Sequence, residues 1–108
     1  MVNASVVAGI RNFVDARDWD RFHLAENLAK SIAIEAGELL ECFQWDSEPA
    51  IGAVASELAD VLTYCYLLGA KLGLDLDQIV LDKLEVSEAK YPIEKARGRS
   101  SRYDQLPG

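Results

Sequence analysis

The chain has 108 residues, 50% of them hydrophobic and 27% charged, enough for a single domain whose core is small enough to favour completion by a partner chain. A net charge of -7 argues against binding nucleic acid polymers or anionic membrane surfaces, which repel an acidic protein, although a small anionic ligand is not excluded. The charge is uneven: residues 1–88 carry 6 basic and 16 acidic side chains and residues 89–108 carry 5 and 2, so an acidic body is followed by a basic tail.

Apolar residues recur at spacings of three and four rather than alternating, which predicts an all-α fold. Val6, Ile10, Phe13 and Val14 form the stripe of a first helix ending near Arg17, and residues 18–23 read as a loop. A second helix is predicted over 25–43, with Leu28, Ile32, Leu39 and Phe43 among its apolar contacts, and residues 44–48 break the pattern. Pro49, suited to a first helical turn because it lacks an amide hydrogen, opens a third helix that Gly73 closes. Asp75 and Gln78 have the spacing of a capping box, which starts a fourth helix at 76 that Pro92 stops after Lys90. Residues 92–108 read as an irregular basic tail with one helical turn. Four helices suffice for a bundle, and the chain is expected to be one domain over 1–108.

No charged stretch followed by an unbroken apolar run opens the chain, because Ser5, Gly9, Arg11 and Asn12 interrupt it, so a cytoplasmic location without a membrane partner is the expectation. The most apolar stretch, 61–70, is well short of the roughly 18 residues that suggest a membrane span. Cys42 and Cys65 lack CxxC spacing and sit in apolar helical patterns, the placement of buried, reduced thiols.

Glu35 and Glu38 are three residues apart, as are Glu57 and Asp60, so each pair projects from one face of its helix. If the short connection at 46–48 makes the two helices antiparallel neighbours, the pairs face each other and their repulsion calls for a cation. An all-oxygen ligand set favours magnesium or manganese over zinc. Spacing alone leaves open the alternative of solvated helix-face charges, but Ile34, Leu39, Leu40, Leu58, Val61 and Leu62 surround these acids, and carboxylates set in apolar helices need a compensating partner. Trp19, His23 and Trp45 lie at the edges of the second helix, and Tyr64 follows Asp60 by one turn, so flat rings stand near the acids in a way that suits a nucleobase. Lys83, one of few basic residues in the fourth helix, is placed to meet a terminal phosphate. Lys95, Arg97, Arg99 and Arg102 either close over a triphosphate or pair with the acidic body of a neighbouring subunit.

Glu35-Ala-Gly-Glu38, an 18-residue gap and Glu57-Leu-Ala-Asp60 resemble the ExxE…ExxD signature of the MazG-like nucleoside triphosphate pyrophosphohydrolases. RDWDRFH at 17–23, EAGELLECFQW at 35–45, DVLTY at 60–64 and KYPIEKARGR at 90–99 are similar to the dCTP pyrophosphatase branch. The resemblance implies an all-α, four-helix MazG-like bundle completed by oligomerisation, as a homo-tetramer built from two dimers with active sites near the subunit interface. It further implies hydrolysis of a nucleoside triphosphate between its α and β phosphates, a reaction that clears damaged or excess nucleotides. By the same matching, Glu35, Glu38, Glu57 and Asp60 fall on magnesium ligands. Trp19, His23, Trp45 and Tyr64 fall on the base and sugar pocket, and Lys83 on a phosphate-binding lysine. Ser87 stands where many relatives have asparagine, and Glu88 adds negative charge beside it. Glu38 is the expected catalytic carboxylate. The substrate is dCTP, a modified form of it, another pyrimidine deoxynucleotide or a broader set. The rival reading is a noncatalytic helical interaction module whose acids bind magnesium or a basic partner to hold an assembly together.

Overall fold

The three-and-four apolar period folds as helix throughout. In the computed structural model, which describes residues 4–107, the long elements are α1 (Ala4–Ala16), α2 (Ala25–Glu41), α3 (Ile51–Leu72) and α4 (Leu76–Lys90), and no strand occurs among the described residues. A short α5 (Ile93–Ala96) follows, with single 3₁₀ turns at Asp20–Phe22 and Tyr103–Gln105. The described residues divide into two compact units, one ending at Asp75 and the other beginning at Leu76.

In the first unit α2 and α3 form an antiparallel pair joined by residues 42–50, and α1 packs more lightly on α3. The buried core is Val14, Leu28 and Leu67, one residue from each helix, with Ile10, Tyr64 and Leu68 packed against it. Burying such a side chain contributes about 1.5–3 kcal/mol. Only one buried residue therefore ties α1 to the pair, with Ile10 packed partly against it, while Val6 and Phe13 of the same stripe are 42% and 49% exposed.

Helix ends show where local chemistry overrode the periodicity. The sequence predicts α2 to residue 43, but it closes at Glu41, and the amides of Cys42, Phe43 and Gln44 bond three residues back, to Leu39, Leu40 and Glu41, in a tightened last turn. Pro49 stands before α3 instead of within its first turn. Ala50 takes the cap with extended backbone (ψ 130°), and its carbonyl accepts the amides of Ala53 and Val54. The Glu48 amide donates to Asp46 Oδ1 at 2.9 Å, a turn that suits the extended backbone Pro49 imposes on its predecessor. Gly73 closes α3 as expected: its φ of 68° lies in the left-handed region, and the Leu74 amide reaches back to the Gly69 carbonyl at 2.8 Å.

By length and composition α3 is able to cross a membrane, since its 22 residues include an 18-residue window of mean hydropathy 1.4. The apolar run 61–70 is only part of this helix, which gains its length from the small and apolar turns that precede Glu57. The same helix carries Glu57, Asp60 and Lys71 and packs along α2. Cys42 and Cys65 are free thiols, half-buried rather than buried as their apolar neighbours suggested.

In the second unit α4 has the predicted bounds and buries none of its residues. Gln78 Nε2 donates to Asp82 Oδ1 at 2.8 Å. The tail is more regular than its composition suggests. Pro92 caps α5 with extended backbone, and Tyr103 meets Tyr91 edge-on at 6.2 Å with the Lys90 ammonium 4.7 Å from its ring.

Candidate active site

The antiparallel pairing brings the two acidic motifs together. Carboxylate oxygens of Glu35 on α2 and of Glu57 and Asp60 on α3 all lie within 4.8 Å of one another. Glu38 follows Glu35 by one turn on α2 and bears on both Glu35 and Glu57. Interaction with the neighbouring Glu38 carboxyl, followed by partial burial and the repulsion of Glu38, Asp60 and Glu57, raises the Glu35 pKa above the usual carboxylate value. Glu57 is raised too, first by burial and then by Glu38, Asp60 and Glu41. Glu41 is a further acid of this cluster that the spacing argument passed over, although it continues the ladder from Glu38 at three residues.

Whether this cluster fits a cation is tested by its unsatisfied atoms. Glu35 Oε2 and Glu57 Oε2 are buried without a hydrogen-bond partner among the described residues. Buried oxygens without donors, in a group of like charges, are costly unless a positive ion supplies what the protein does not. The ligand set is oxygen only, which suits a hard divalent ion. The residues therefore fit a divalent cation.

Beside the cluster lies a cavity of about 500 Å³ whose lining includes Trp19, His23, Asp60, Thr63 and Tyr64. Asp60 thus belongs both to the acidic cluster and to the cavity wall. The loop that carries Trp19 and His23 is built firmly. Asp18 adopts φ 53°, a left-handed conformation that aspartate tolerates better than most residues, and the turn lets the Trp19 amide donate to the Val14 carbonyl at 3.2 Å. The Trp19 ring then meets Phe13 edge-on at 5.6 Å, while the Arg17 guanidinium sits 3.8 Å from the Phe13 ring centre. Asn27 Nδ2 donates to the Phe22 carbonyl at 3.2 Å and ties the loop to the start of α2. His23 Nδ1 is buried without a partner.

The facing wall is α1, through residues that include Ser5, Gly9 and Phe13. The sequence reading gives that helix an apolar stripe and no part in the site. Gly9 lies in the middle of that stripe, and an added Cβ there would meet nothing within 4 Å. Trp19, His23 and Tyr64 thus share one cavity, but Trp45 does not line it: that ring is 89% exposed on the connection between α2 and α3. Lys83 belongs to the second unit, where it borders an open hollow with Ile79, Val80 and Leu84 on α4. Ser87 and Glu88 lie on the same helix.

The MazG-like family model matches residues 30–106. The chain belongs to the MazG-like family. Among curated relatives of this MazG-like chain, dCTP pyrophosphatase 1 of Mus musculus is 37% identical over 105 residues, covering 88% of this chain and 62% of the mouse protein. The Homo sapiens protein of the same name is 39% identical with the same coverage. The chain therefore spans a little under two thirds of the length of the curated relatives it matches. Among solved structures, a pyrophosphatase from Archaeoglobus fulgidus superposes with a TM-score of 0.77 at 37% identity, covering 82% of this chain and 90% of the other.

Proposed function

We propose that this MazG-like chain is a magnesium-dependent nucleoside triphosphate pyrophosphohydrolase that converts dCTP, or a modified pyrimidine deoxynucleotide, to the monophosphate and pyrophosphate. The observation that carries the reading is the double membership of Asp60: a carboxylate cluster fitted to a cation opens directly onto a cavity lined with aromatic rings. A scaffold that used its acids only to bind a basic partner would have no need of the cavity. The names of the mouse and human relatives and of the archaeal structure agree with the chemistry. The family match runs across the junction between the two units, which supports treating them as one functional domain.

Glu35, Glu38, Glu57 and Asp60 would hold magnesium, or manganese in its place. When bound, the ion offsets charge on the phosphoryl oxygens and favours ionisation of a water. Glu38 is exposed and lies outside the trio of convergent oxygens, so it is the carboxylate most open to an attacking water. As the water oxygen attacks phosphorus and the bond to the departing pyrophosphate breaks, Glu38 accepts the water's proton at a carboxylate oxygen. Trp19, Tyr64 and His23 orient the base and sugar. Trp45 and Lys83 enter this reading by resemblance, the first toward the base and the second toward a phosphate.

The test is pyrophosphate release from a panel of canonical and modified nucleoside triphosphates with and without magnesium. Metal-dependent release ranked by base is the expected result, and no release across the panel would move the assignment to the scaffold. With the preferred substrate, Trp19→Ala should raise KM about tenfold, since a base stacked on an aromatic ring is worth about 1–3 kcal/mol. An unchanged KM would remove Trp19 from the pocket.

The reading includes a homo-oligomer, a tetramer built from two dimers. Ile34 and Leu40 on α2 and Ile51, Leu58 and Leu62 on α3 are 44–83% exposed, an apolar surface suited to a second copy of the chain. Light scattering should give a mass of four chains; a single-chain mass would exclude the assembly.

A further inference from the structure

The wall of the cavity formed by α1 is held in place by little apolar burial, because Val14 is the one buried residue that α1 contributes to the described core. A polar tie makes up the difference. Asp20, in the 3₁₀ turn between Trp19 and His23, accepts Arg11 Nη1 from α1 at 3.2 Å and Lys71 Nζ from the last turn of α3 at 3.4 Å, both on the same oxygen, Oδ1. Arg11 also reaches Asp15 at 3.6 Å, so Asp20 shares that guanidinium, and Lys71 links it to a residue 51 positions away. The hydrogen bond from Arg11, and then the charge of Lys71, hold the Asp20 carboxyl below its ordinary pKa, so it stays ionised at neutral pH.

We infer that Asp20 is a positioning residue for the nucleotide pocket: by joining α1, the Trp19–His23 loop and α3 through one carboxylate oxygen, it fixes the separation of the cavity walls and the placement of Trp19. The inference rests on the reading of this cavity as the nucleotide site. The three elements it joins are the three that line the cavity, and Trp19 and His23 flank the turn that carries it. An isolated surface ion pair contributes little, but one acceptor shared by two cations from different helices restricts motions that no single pair would. Asp20 belongs neither to the cavity lining nor to the acidic cluster; it acts through the ring it holds.

The experiment compares wild type, Asp20→Asn and Asp20→Glu. Two readouts are used: the KM and kcat of magnesium-dependent hydrolysis of the preferred triphosphate, and the quenching of Trp19 fluorescence by acrylamide in a Trp45→Phe background without nucleotide. Asp20→Asn should raise KM about fivefold with kcat within about twofold, the signature of lost binding rather than lost chemistry. Trp19 should become more readily quenched, and Asp20→Glu, which keeps the charge, should restore most of both effects. An unchanged KM in Asp20→Asn, or unchanged quenching of Trp19, overturns the inference, as does a lowered melting temperature with KM unmoved. If wild type hydrolyses no triphosphate, the functional reading fails, while the quenching comparison still decides whether Asp20 places Trp19.

Discussion

Glu38→Gln should slow pyrophosphate release by about a thousandfold or more while leaving the helices intact. Glutamine has the same shape but cannot take a proton from water, and loss of a positioned general base alone typically costs about 10²–10⁴ in rate. Glu38 lies on the exposed side of α2 beside Glu35 and Glu57, so the amide still fills its place and relieves repulsion in the cluster. The comparison that gives the result its meaning is Glu57→Gln. Glu57 contributes to the convergent trio and has a buried, unpartnered oxygen, so its loss should weaken metal binding first and be partly rescued by raising magnesium. A deficit in Glu38→Gln that persists at saturating magnesium assigns Glu38 to proton transfer. Full rescue by magnesium would make it a ligand only, and activity near wild type would remove it from the mechanism.

The acidic cluster was the most legible part of this chain, because helical geometry is regular enough that three-residue spacings fix which side chains share a face. With residues 46–48 read as a short connection, the meeting of Glu35 with Glu57 and Asp60 follows from the antiparallel arrangement. Gly73 and the bounds of α4 were legible for a related reason: a left-handed glycine and a proline two residues past the end act locally. The end of α2 was not, since its last turn tightens through backbone bonds that any sequence can make. The cavity was harder still. Val6 and Phe13 are apolar at helical spacing whether they meet a core or a ligand, and only packing against α3 decides between the two. The tie at Asp20 was invisible for a further reason: Arg11, Asp20 and Lys71 have no sequence relationship, and their convergence depends on how three elements pack.

Without metal the carboxylate cluster should make the protein less stable at neutral pH than at mildly acidic pH, the reverse of the usual effect of an acidic site. Glu35 and Glu57 have pKa values raised in the folded protein, so folding opposes their ionisation. Their contribution to stability is fully present below the unfolded glutamate value of about 4.3 and is lost as pH rises through the raised folded values. Asp20 runs the other way, since its lowered pKa gives stability that is present above the ordinary aspartate value and lost as pH falls through the lowered one. The melting temperature of the metal-free protein should therefore climb as pH is lowered through the raised values of Glu35 and Glu57, before protonation of acids such as Asp20 begins to act against it. Magnesium needs the ionised carboxylates and so should reverse the trend. At a hundred times its dissociation constant it would add about 2.7 kcal/mol at pH 7.5, or about 10–20 °C for a domain of this size. That gain should shrink toward pH 5 as protons compete for the same oxygens. Glu57→Gln is the control: it should raise the metal-free melting temperature at pH 7.5, flatten its pH dependence and lose most of the response to magnesium. A metal-free protein whose stability falls steadily from pH 7.5 to 5, with no magnesium response at either end, would mean that the four acids are solvated helix charges and do not form a metal centre.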